Sequence, residues 1–282
     1  MNIHIISTVN GQQNEGMRNV ATHLGKSFEK ENNVVYSALN DVLKIPARCL
    51  KSDVTMIFAR CVGNVYIIAR VASFFSKNLK LFLVQKPAKE YQTKNNKNPI
   101  NADYYTICED DAKEIRLCEG KKMIPFTAGI NAGKFSPVSK QKAKELKAKY
   151  GFDTDKPLVV HVGHLSTGRG LEDFVSFSKD KYSRLIVASG MFENENTVKV
   201  LEDNGVKIIR GYLENVNEVY QMADVYLFPT KTGDYVISLP LSVMEALSCG
   251  VPVIAYKSFE KINAIDVNDD RAVVLINNQG EI

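Results

Sequence analysis

The segment Leu239-Pro-Leu-Ser-Val-Met-Glu-Ala-Leu-Ser-Cys-Gly-Val-Pro-Val-Ile-Ala255 contains the pattern that decides the fold. Pro240 marks a turn, and the residues after it predict a short helix. Gly250 and Pro252 end that helix, and the apolar run Val251–Ala255 then predicts a buried strand. A short helix that leads directly into a buried strand is typical of parallel sheets covered by helices.

The same segment indicates a site for an anionic ligand. Ser242 is placed to cap the first turn of the predicted helix. A helix that begins at the carboxyl edge of a parallel sheet offers backbone N–H groups and a positive dipole end, which favour a phosphate or diphosphate. Glu245, one turn inside the helix, can bind a pair of sugar hydroxyls. The pattern therefore predicts a ligand with phosphates at one end and a ribose close by.

Length and composition indicate a soluble protein of two domains. The chain has 282 residues, of which 45% are hydrophobic and 24% are charged. It has no run of about 18 apolar residues, and its start lacks the features of a secretory signal. The five cysteines are odd in number and form no CxxC pair, which favours reduced thiols over disulfides or a zinc site. We expect a cytoplasmic protein.

Charge is distributed unevenly along the chain. Residues 1–150 hold 24 Lys and Arg against 13 Asp and Glu, a net +11, and residues 151–282 hold 12 against 19, a net −7. The basic half suits an anionic surface, which would place the protein at the inner face of the membrane. The alternative is a lysine-rich solvated surface. No aromatic residues interleave with the lysines of 139–149, so we expect no nucleic-acid partner.

Apolar runs and helical patterns alternate along the chain, which predicts parallel sheets. Expected strands are Ile3–Ile6, Val34–Tyr36, Val54–Phe58, Leu81–Val84, Tyr104–Ile107, Leu158–Val162, Arg184–Ala188, Val206–Ile209, Val225–Phe228 and Val251–Ala255. Expected helices include Gly16–Glu29, Val62–Ser76, Ser139–Tyr150, Leu171–Ser178, Asn194–Asn204 and Asn217–Met222. A turn-rich stretch at 131–137 predicts domains of residues 1–135 and 136–282.

A second glycine-rich turn, Gly163-His-Leu-Ser-Thr-Gly-Arg-Gly170, follows the strand predicted at 158–162. It resembles the GxxxxGK[ST] phosphate loop, but Arg169 replaces the lysine and Gly170 replaces the hydroxyl residue that holds Mg²⁺. These differences exclude a P-loop ATPase, and the glycine spacing excludes a dinucleotide fingerprint. The turn keeps a cation, Arg169, that can bind a phosphate without a metal.

Two histidines lie near this turn. His164 is a candidate functional residue because of its place in the loop, and a structural role is the alternative. His161 lies within the strand, where we expect a buried, hydrogen-bonded core residue. In the first half, the polar loop 7–17 follows the first strand, and Gly16 would let a ligand approach the backbone closely. A simple surface loop is the alternative there.

Taken together, these segments resemble the family-4-type glycosyltransferases of GT-B fold, the glycosyl transferases group 1. The resemblance covers nearly the whole chain and is strongest in the second half. Its motifs are Val160–Leu171, Gly211–Thr230 and Met244–Val253, with looser matches at Ala102–Cys108 and Ile124–Pro137.

The resemblance implies an α/β fold of two Rossmann-like domains whose parallel sheets face a central cleft. The first domain would bind the acceptor, a glycan or a lipid-linked molecule, and the second would bind the nucleotide-sugar donor. The sugar would be transferred with retention of configuration, and no metal or other cofactor would be needed. The family ends with helices after the strand at Val273–Ile276, and this sequence stops at Ile282, so we expect those helices to be missing.

The resemblance also implies roles for particular residues. On the donor side, Arg169 and His164 would act on the diphosphate, where the family has lysine and arginine. The other donor-side positions are Gly163, the backbone of Leu241 and Ser242, and Glu245 on the ribose. The acceptor-side positions are Asn14, Gly16 and Arg18.

One position departs from the pattern in a way that matters for function. In the family, a glutamate eight residues before Glu245 contacts the transferred sugar, and here that position is Ile237. An apolar side chain cannot accept a hydrogen bond from a sugar hydroxyl. The alternative to a transferase is therefore a non-catalytic GT-B subunit of a glycan-assembly complex that binds a nucleotide or glycan. An epimerase or phosphorylase on the same fold is a further alternative.

Overall fold

The structure of the chain is a computed structural model. It describes residues 1–8, 16–58, 63–84, 100–107, 120–166, 168–188, 193–233, 236–237, 239–259, 262 and 272–282; the side chains of 16–18 and 63–64 lie outside the description. In these ranges no helix combines the length and hydropathy that a membrane crossing requires. Contacts along the chain divide it into two compact units, residues 1–128 with 236–239, and residues 129–235 with 240–282.

The first unit is a six-stranded parallel sheet with the order β2-β1-β3-β4-β5-β6. Its elements are β1 (Asn2–Ser7), α1 (Gly16–Phe28), β2 (Asn33–Ala38), α2 (Ile45–Lys51), β3 (Val54–Phe58), α3 (Gly63–Phe75), β4 (Leu79–Leu83), β5 (Asp103–Thr106) and β6 (Met123–Pro125). Ile3, Ile5 and Ile6 of β1 are fully buried. Burial of neighbouring residues that point to opposite faces shows that β1 is covered on both sides.

The second unit repeats this plan, with six parallel strands in the order β12-β11-β10-β7-β8-β9. Its elements are α4 (Lys140–Lys149), β7 (Leu158–Gly163), a 3₁₀ helix (Leu171–Ser176), β8 (Ser183–Ala188), α5 (Glu195–Asp203), β9 (Lys207–Arg210), α6 (Val216–Gln221), β10 (Val225–Phe228), α7 (Leu241–Ser248), β11 (Val253–Tyr256), β12 (Val273–Ile276) and a closing 3₁₀ turn (Gln279–Glu281). Each unit has its own buried apolar cluster.

The predicted α/β class with two parallel sheets is confirmed. Three short elements were not predicted: α2, β6 and the closing 3₁₀ turn. Helix α2 has only seven residues with a proline at its start, and β6 has three residues, so neither is long enough for a periodic pattern. The predicted helix at 171–178 is a 3₁₀ helix that ends at Ser176.

The end of α7 follows the prediction closely. Gly250 adopts a φ of 76°, the left-handed conformation that favours glycine. Its N–H donates to the carbonyl of Leu247 at 2.9 Å, and the N–H of Val251 donates to that of Ala246 at 3.0 Å. These paired bonds satisfy the last carbonyls of the helix and turn the chain into β11.

Strand order places the candidate site. In the second unit the chain winds from β7 outward through β8 to β9, then crosses to the other side of β7 to form β10. In such sheets, ligands bind outside the carboxyl ends of the two strands that flank the change of direction. Those strands are β7 and β10.

Candidate functional site

The turn after β7 lies directly against the end of β10. Gly168 and Gly170 both have positive φ, 87° and 68°. A Cβ at position 170 would stand 2.5 Å from the carbonyl oxygen of Pro229, the residue after β10. Because no side chain fits in that contact, glycine at 170 lets the turn bring Arg169 to the switch point between the strands.

His161 is the buried, hydrogen-bonded core residue that the sequence predicts. Its Nδ1 lies 2.9 Å from the carbonyl oxygen of Leu227, and since a carbonyl only accepts, Nδ1 carries the proton. Burial lowers the pKa of His161 to about 3, so the ring is neutral at physiological pH. Its Nε2 would be 2.6 Å from a Cβ at Gly163. Position 163 therefore needs glycine to leave room for the His161 ring, whether or not it also lies beside the donor as the sequence predicts.

Arg169 is a buried cation, with 7% of its surface exposed. Burial lowers its pKa to about 10, and interaction with Tyr226 opposes that shift. The guanidinium therefore keeps its charge at neutral pH in a poorly hydrated place. A diphosphate is a suitable partner for such a group, because charge-assisted hydrogen bonds strengthen when water is excluded.

The first turn of α7 differs from the prediction in one detail. The residue that caps the helix is Pro240, which has no side-chain cap, so the expected capping role of Ser242 is wrong. Ser242 lies inside the helix, and its side chain hydrogen-bonds the hydroxyl of Tyr226. The intrahelical bonds begin with Val243 and Met244, whose N–H groups donate to Pro240. Leu241 and Ser242 precede them, in the part of a helix that binds anions.

Glu245 lies one turn further along α7. It accepts a hydrogen bond of 2.7 Å from the hydroxyl of Tyr220, a fully buried residue of α6. Burial raises the pKa of Glu245 to about 7, while the bond from Tyr220 and the charge of Lys134 oppose the shift. The carboxylate is therefore held in one orientation and titrates near neutral pH.

Tyr226 of β10 joins these groups. Its hydroxyl donates to the carbonyl of Val162 at 3.2 Å and hydrogen-bonds Ser242. It also interacts electrostatically with Arg169 and Glu245. The structure thus brings the turn after β7 and the start of α7 together around one buried hydroxyl.

Sequence reasoning missed Tyr220 and Tyr226. Each is fully buried although its side chain ends in a polar hydroxyl. A buried tyrosine needs a hydrogen-bond partner, and both tyrosines lie in or next to a motif that the resemblance singles out. A tyrosine in or beside such a motif was therefore the signal from which both residues could have been predicted.

The remaining predicted positions are more scattered. His164 is half-buried, and its interaction with His161 helps to lower the pKa of that ring. Ile237 is half-buried and groups with the first unit by its contacts. On the acceptor side, Gly16 begins α1, whereas Asn14 and the side chain of Arg18 lie outside the described residues.

Comparison with known proteins finds similarity to glycosyltransferases. Residues 142–280 match the family described as "Glycosyl transferases group 1". Alpha-galactosylglucosyldiacylglycerol synthase of Streptococcus pneumoniae is 24% identical over 134 residues, which are 44% of this chain and 35% of that protein. Sulfoquinovosyl transferase SQD2 of Arabidopsis thaliana is 24% identical over 135 residues, 47% of this chain and 26% of that protein. The chain therefore spans less than half the length of these relatives.

Solved structures show the same fold. Anabaena HepE, crystallised with UDP-glucose, matches with a TM-score of 0.79 at 14% identity, over 100% of this chain and 87% of that one. Sucrose-phosphate synthase from Thermosynechococcus elongatus matches with a TM-score of 0.74 at 13% identity, over 99% and 87%. Residues 142–280 are thus similar to the glycosyl transferases group 1 family, and the chain has the GT-B fold.

Proposed function

We propose that the protein transfers a sugar from a nucleotide-sugar donor to a glycan or lipid-linked acceptor, with retention of configuration and without a metal. One observation carries the proposal. The buried hydroxyl of Tyr226, at the switch point of the second sheet, hydrogen-bonds Ser242 in the first turn of α7 and interacts electrostatically with Arg169 and Glu245. This arrangement offers positive charge for a diphosphate and, about one helical turn away, a carboxylate for ribose hydroxyls.

The reaction depends on stabilising the leaving group. As the bond between sugar and diphosphate breaks, negative charge grows on the departing phosphate. Arg169 and the N–H groups of Leu241 and Ser242 would meet that charge in place of a metal ion. His164 would add positive charge when protonated. No side chain of the protein need act as the nucleophile.

The relatives support the choice of donor and acceptor for a first test. HepE was crystallised with UDP-glucose, and the two curated relatives are named for glycolipid products or for sulfoquinovosyl transfer. UDP-glucose is therefore the first donor to assay, and diacylglycerol and glucosyl-diacylglycerol are the first acceptors. Peripheral contact with an anionic membrane through the basic first half belongs to the same proposal.

The test is a thermal-shift panel of nucleotide-sugars, followed by a product assay on every donor that stabilises the protein. We expect Arg169→Ala and Glu245→Ala to abolish transfer and to remove the donor-induced shift, while the folded spectrum stays unchanged. Lys179→Ala and Glu195→Ala are matched controls, because both side chains are exposed elsewhere in the second unit. Full transfer by either site variant would contradict the site assignment.

A second function is favoured by Ile237. Its apolar side chain stands where the family's sugar-contacting glutamate is expected. A non-catalytic GT-B subunit that binds a nucleotide or glycan in a glycan-assembly complex would not need that glutamate. Donor-induced stabilisation without any product, for all donors and acceptors tested, would favour this function over transfer.

A further inference from the structure

Helix α2 and the turn before it carry an apolar stripe on the side that faces solvent. Leu43 is 96% exposed and Leu50 is 57% exposed, and Ala47 between them is exposed too. The spacing i, i+4, i+7 places these three residues on one face, since Lys44 already has helical dihedrals. Ile45 and Cys49 are buried on the opposite side. The exposed stripe is therefore additional to the stripe that packs into the core.

Helix α3 repeats this arrangement. Ile67 is 52% exposed and Phe74 is 78% exposed, with Val71 half-buried between them at the same spacing. Ile68 and Ala72 face the core. An amphipathic helix on a sheet normally presents polar residues to water, so a second outward apolar stripe requires an explanation other than core packing.

The two stripes belong to one surface. The chain passes from β2 to β3 through α2 and from β3 to β4 through α3, moving in the same direction across the sheet each time. Right-handed crossovers in one direction lie on the same face of a sheet. The two helices also pack against each other. We define the α2–α3 surface as Leu43, Ala47, Leu50, Ile67, Val71 and Phe74.

The charges around this surface are mainly positive. Residues 41–53 and 63–77 contain five basic side chains and two acidic ones. Lys44 and Lys51 are exposed and lie beside the α2 stripe, about 100° further around the helix. Both acidic side chains lie beside basic ones: Asp41 is 4.0 Å from Lys44 and 3.9 Å from Arg48, and Asp53 is 3.7 Å from Lys77. The five basic side chains still leave a net positive charge.

We propose that the α2–α3 surface binds an anionic lipid bilayer. The exposed leucines, Ile67 and Phe74 would enter the boundary between headgroups and acyl chains, while Lys44 and Lys51 remain at the level of the lipid phosphates. This proposal rests on the proposed function, because it names the surface through which the peripheral membrane contact would form. Vesicle binding can be measured whether or not the protein transfers a sugar.

Charge decides between a bilayer and a second copy of the chain. A symmetric dimer through this surface would bring two basic rims together, and the like charges would repel. An anionic leaflet attracts each Lys or Arg near its surface and can accept all of them at once.

The test is flotation of the full chain with vesicles of two parts phosphatidylcholine to one part phosphatidylglycerol, and with vesicles of phosphatidylcholine alone. We expect binding to the anionic vesicles, weakening as salt is raised, and little binding to the neutral ones. The variants L43S/F74S and K44E/K51E should each reduce the partition coefficient by about tenfold or more. Both pairs are exposed, so the fold should tolerate the changes.

Matched controls lie in the second unit. Val200 on α5 is an exposed apolar residue, and Lys179 and Lys181 are exposed lysines. V200S and K179E/K181E should bind vesicles as the unmodified chain does. All variants should keep the thermal shift that UDP-glucose produces, which separates a failure of this inference from a failure of the proposed donor site.

Three results would overturn the proposal. One is equal vesicle binding by L43S/F74S and the unmodified chain, and another is a loss in K179E/K181E as large as in K44E/K51E. The third is a dimer in sedimentation that L43S/F74S converts to a monomer without any vesicle binding, which would assign the surface to a second copy.

Discussion

The ionisation of Glu245 shows how one buried residue links stability to pH. Its pKa of about 7 lies above the ordinary 4.5 because burial penalises the charged form more than Tyr220 and Lys134 favour it. The folded state therefore holds its proton more tightly than the unfolded state does. Between those two values, the contribution of Glu245 to stability is lost as pH rises.

We predict that Glu245→Gln raises the melting temperature relative to the unmodified chain at pH 8, by about 3 °C or more, and changes it little at pH 5. The amide carries no charge and can still accept the Tyr220 hydrogen bond. Calorimetry at the two pH values provides the measurement. A melting-temperature difference that does not grow with pH would show that Glu245 does not titrate as the structure indicates.

A second prediction concerns the hydroxyl of Tyr220. Tyr220→Phe removes the hydrogen bond to the Glu245 carboxylate, so the pKa of Glu245 should rise further and the pH midpoint of UDP-glucose binding should move upward. Stability should fall by about 1 kcal/mol. Titration calorimetry from pH 6 to pH 9 measures the midpoint.

Tyr150→Phe is the matched control, because the Tyr150 hydroxyl lies 2.8 Å from a carboxylate oxygen of Glu218 away from the switch point. It should reproduce the change in stability without moving the midpoint. If the pH midpoint of UDP-glucose binding shifts equally in both variants, the Tyr220 hydroxyl does not position Glu245.

At the scale of elements, the turn between β7 and the 3₁₀ helix depends on its glycines. Gly170 combines a φ of 68° with a 2.5 Å contact between a would-be Cβ and the Pro229 carbonyl. Gly205 has a similar φ of 74°, but its nearest neighbour, Nη2 of Arg184, would be at an ordinary 3.7 Å. Both positions need a residue that tolerates a positive φ, and only position 170 also lacks room for a Cβ.

We predict that Gly205→Ala costs about 1 kcal/mol, from the backbone conformation alone. Gly170→Ala should cost about 3 kcal/mol or more, because the turn must move away from β10. It should also weaken UDP-glucose binding, since Arg169 moves with the turn. Urea unfolding and titration calorimetry give the two quantities, and equal costs for the two variants would refute the steric argument.

Most strands could be predicted because parallel strands buried on both faces are continuous apolar runs. The shorter elements α2 and β6 were not predicted, because they contain too few residues to show a periodic pattern. The Ser242 cap was predicted wrongly because sequence does not reveal that Tyr226, on another element, takes the serine side chain.

At the scale of the molecule, the change of winding direction between β7 and β10 lies beside the groups that we propose to bind the donor. We predict that UDP-glucose slows amide exchange most in residues 163–170 and 241–245, by about tenfold or more at saturation. Mass spectrometry of exchanged peptides measures it, with Arg169→Ala as the control that should lose the effect. Protection confined to residues 16–58 would place the donor in the first unit instead.

The sequence by itself determined the α/β class, the two parallel sheets, the short helix with Glu245 and the cation at 169. These follow from local periodicity, glycine and proline placement, and residue chemistry, all readable within a few turns of chain. Only the tertiary structure decided that Tyr226 hydrogen-bonds Ser242, that Tyr220 holds Glu245, and that α2 and α3 share an exposed apolar surface. Those contacts join residues far apart in the chain, and strand order and helix packing create them.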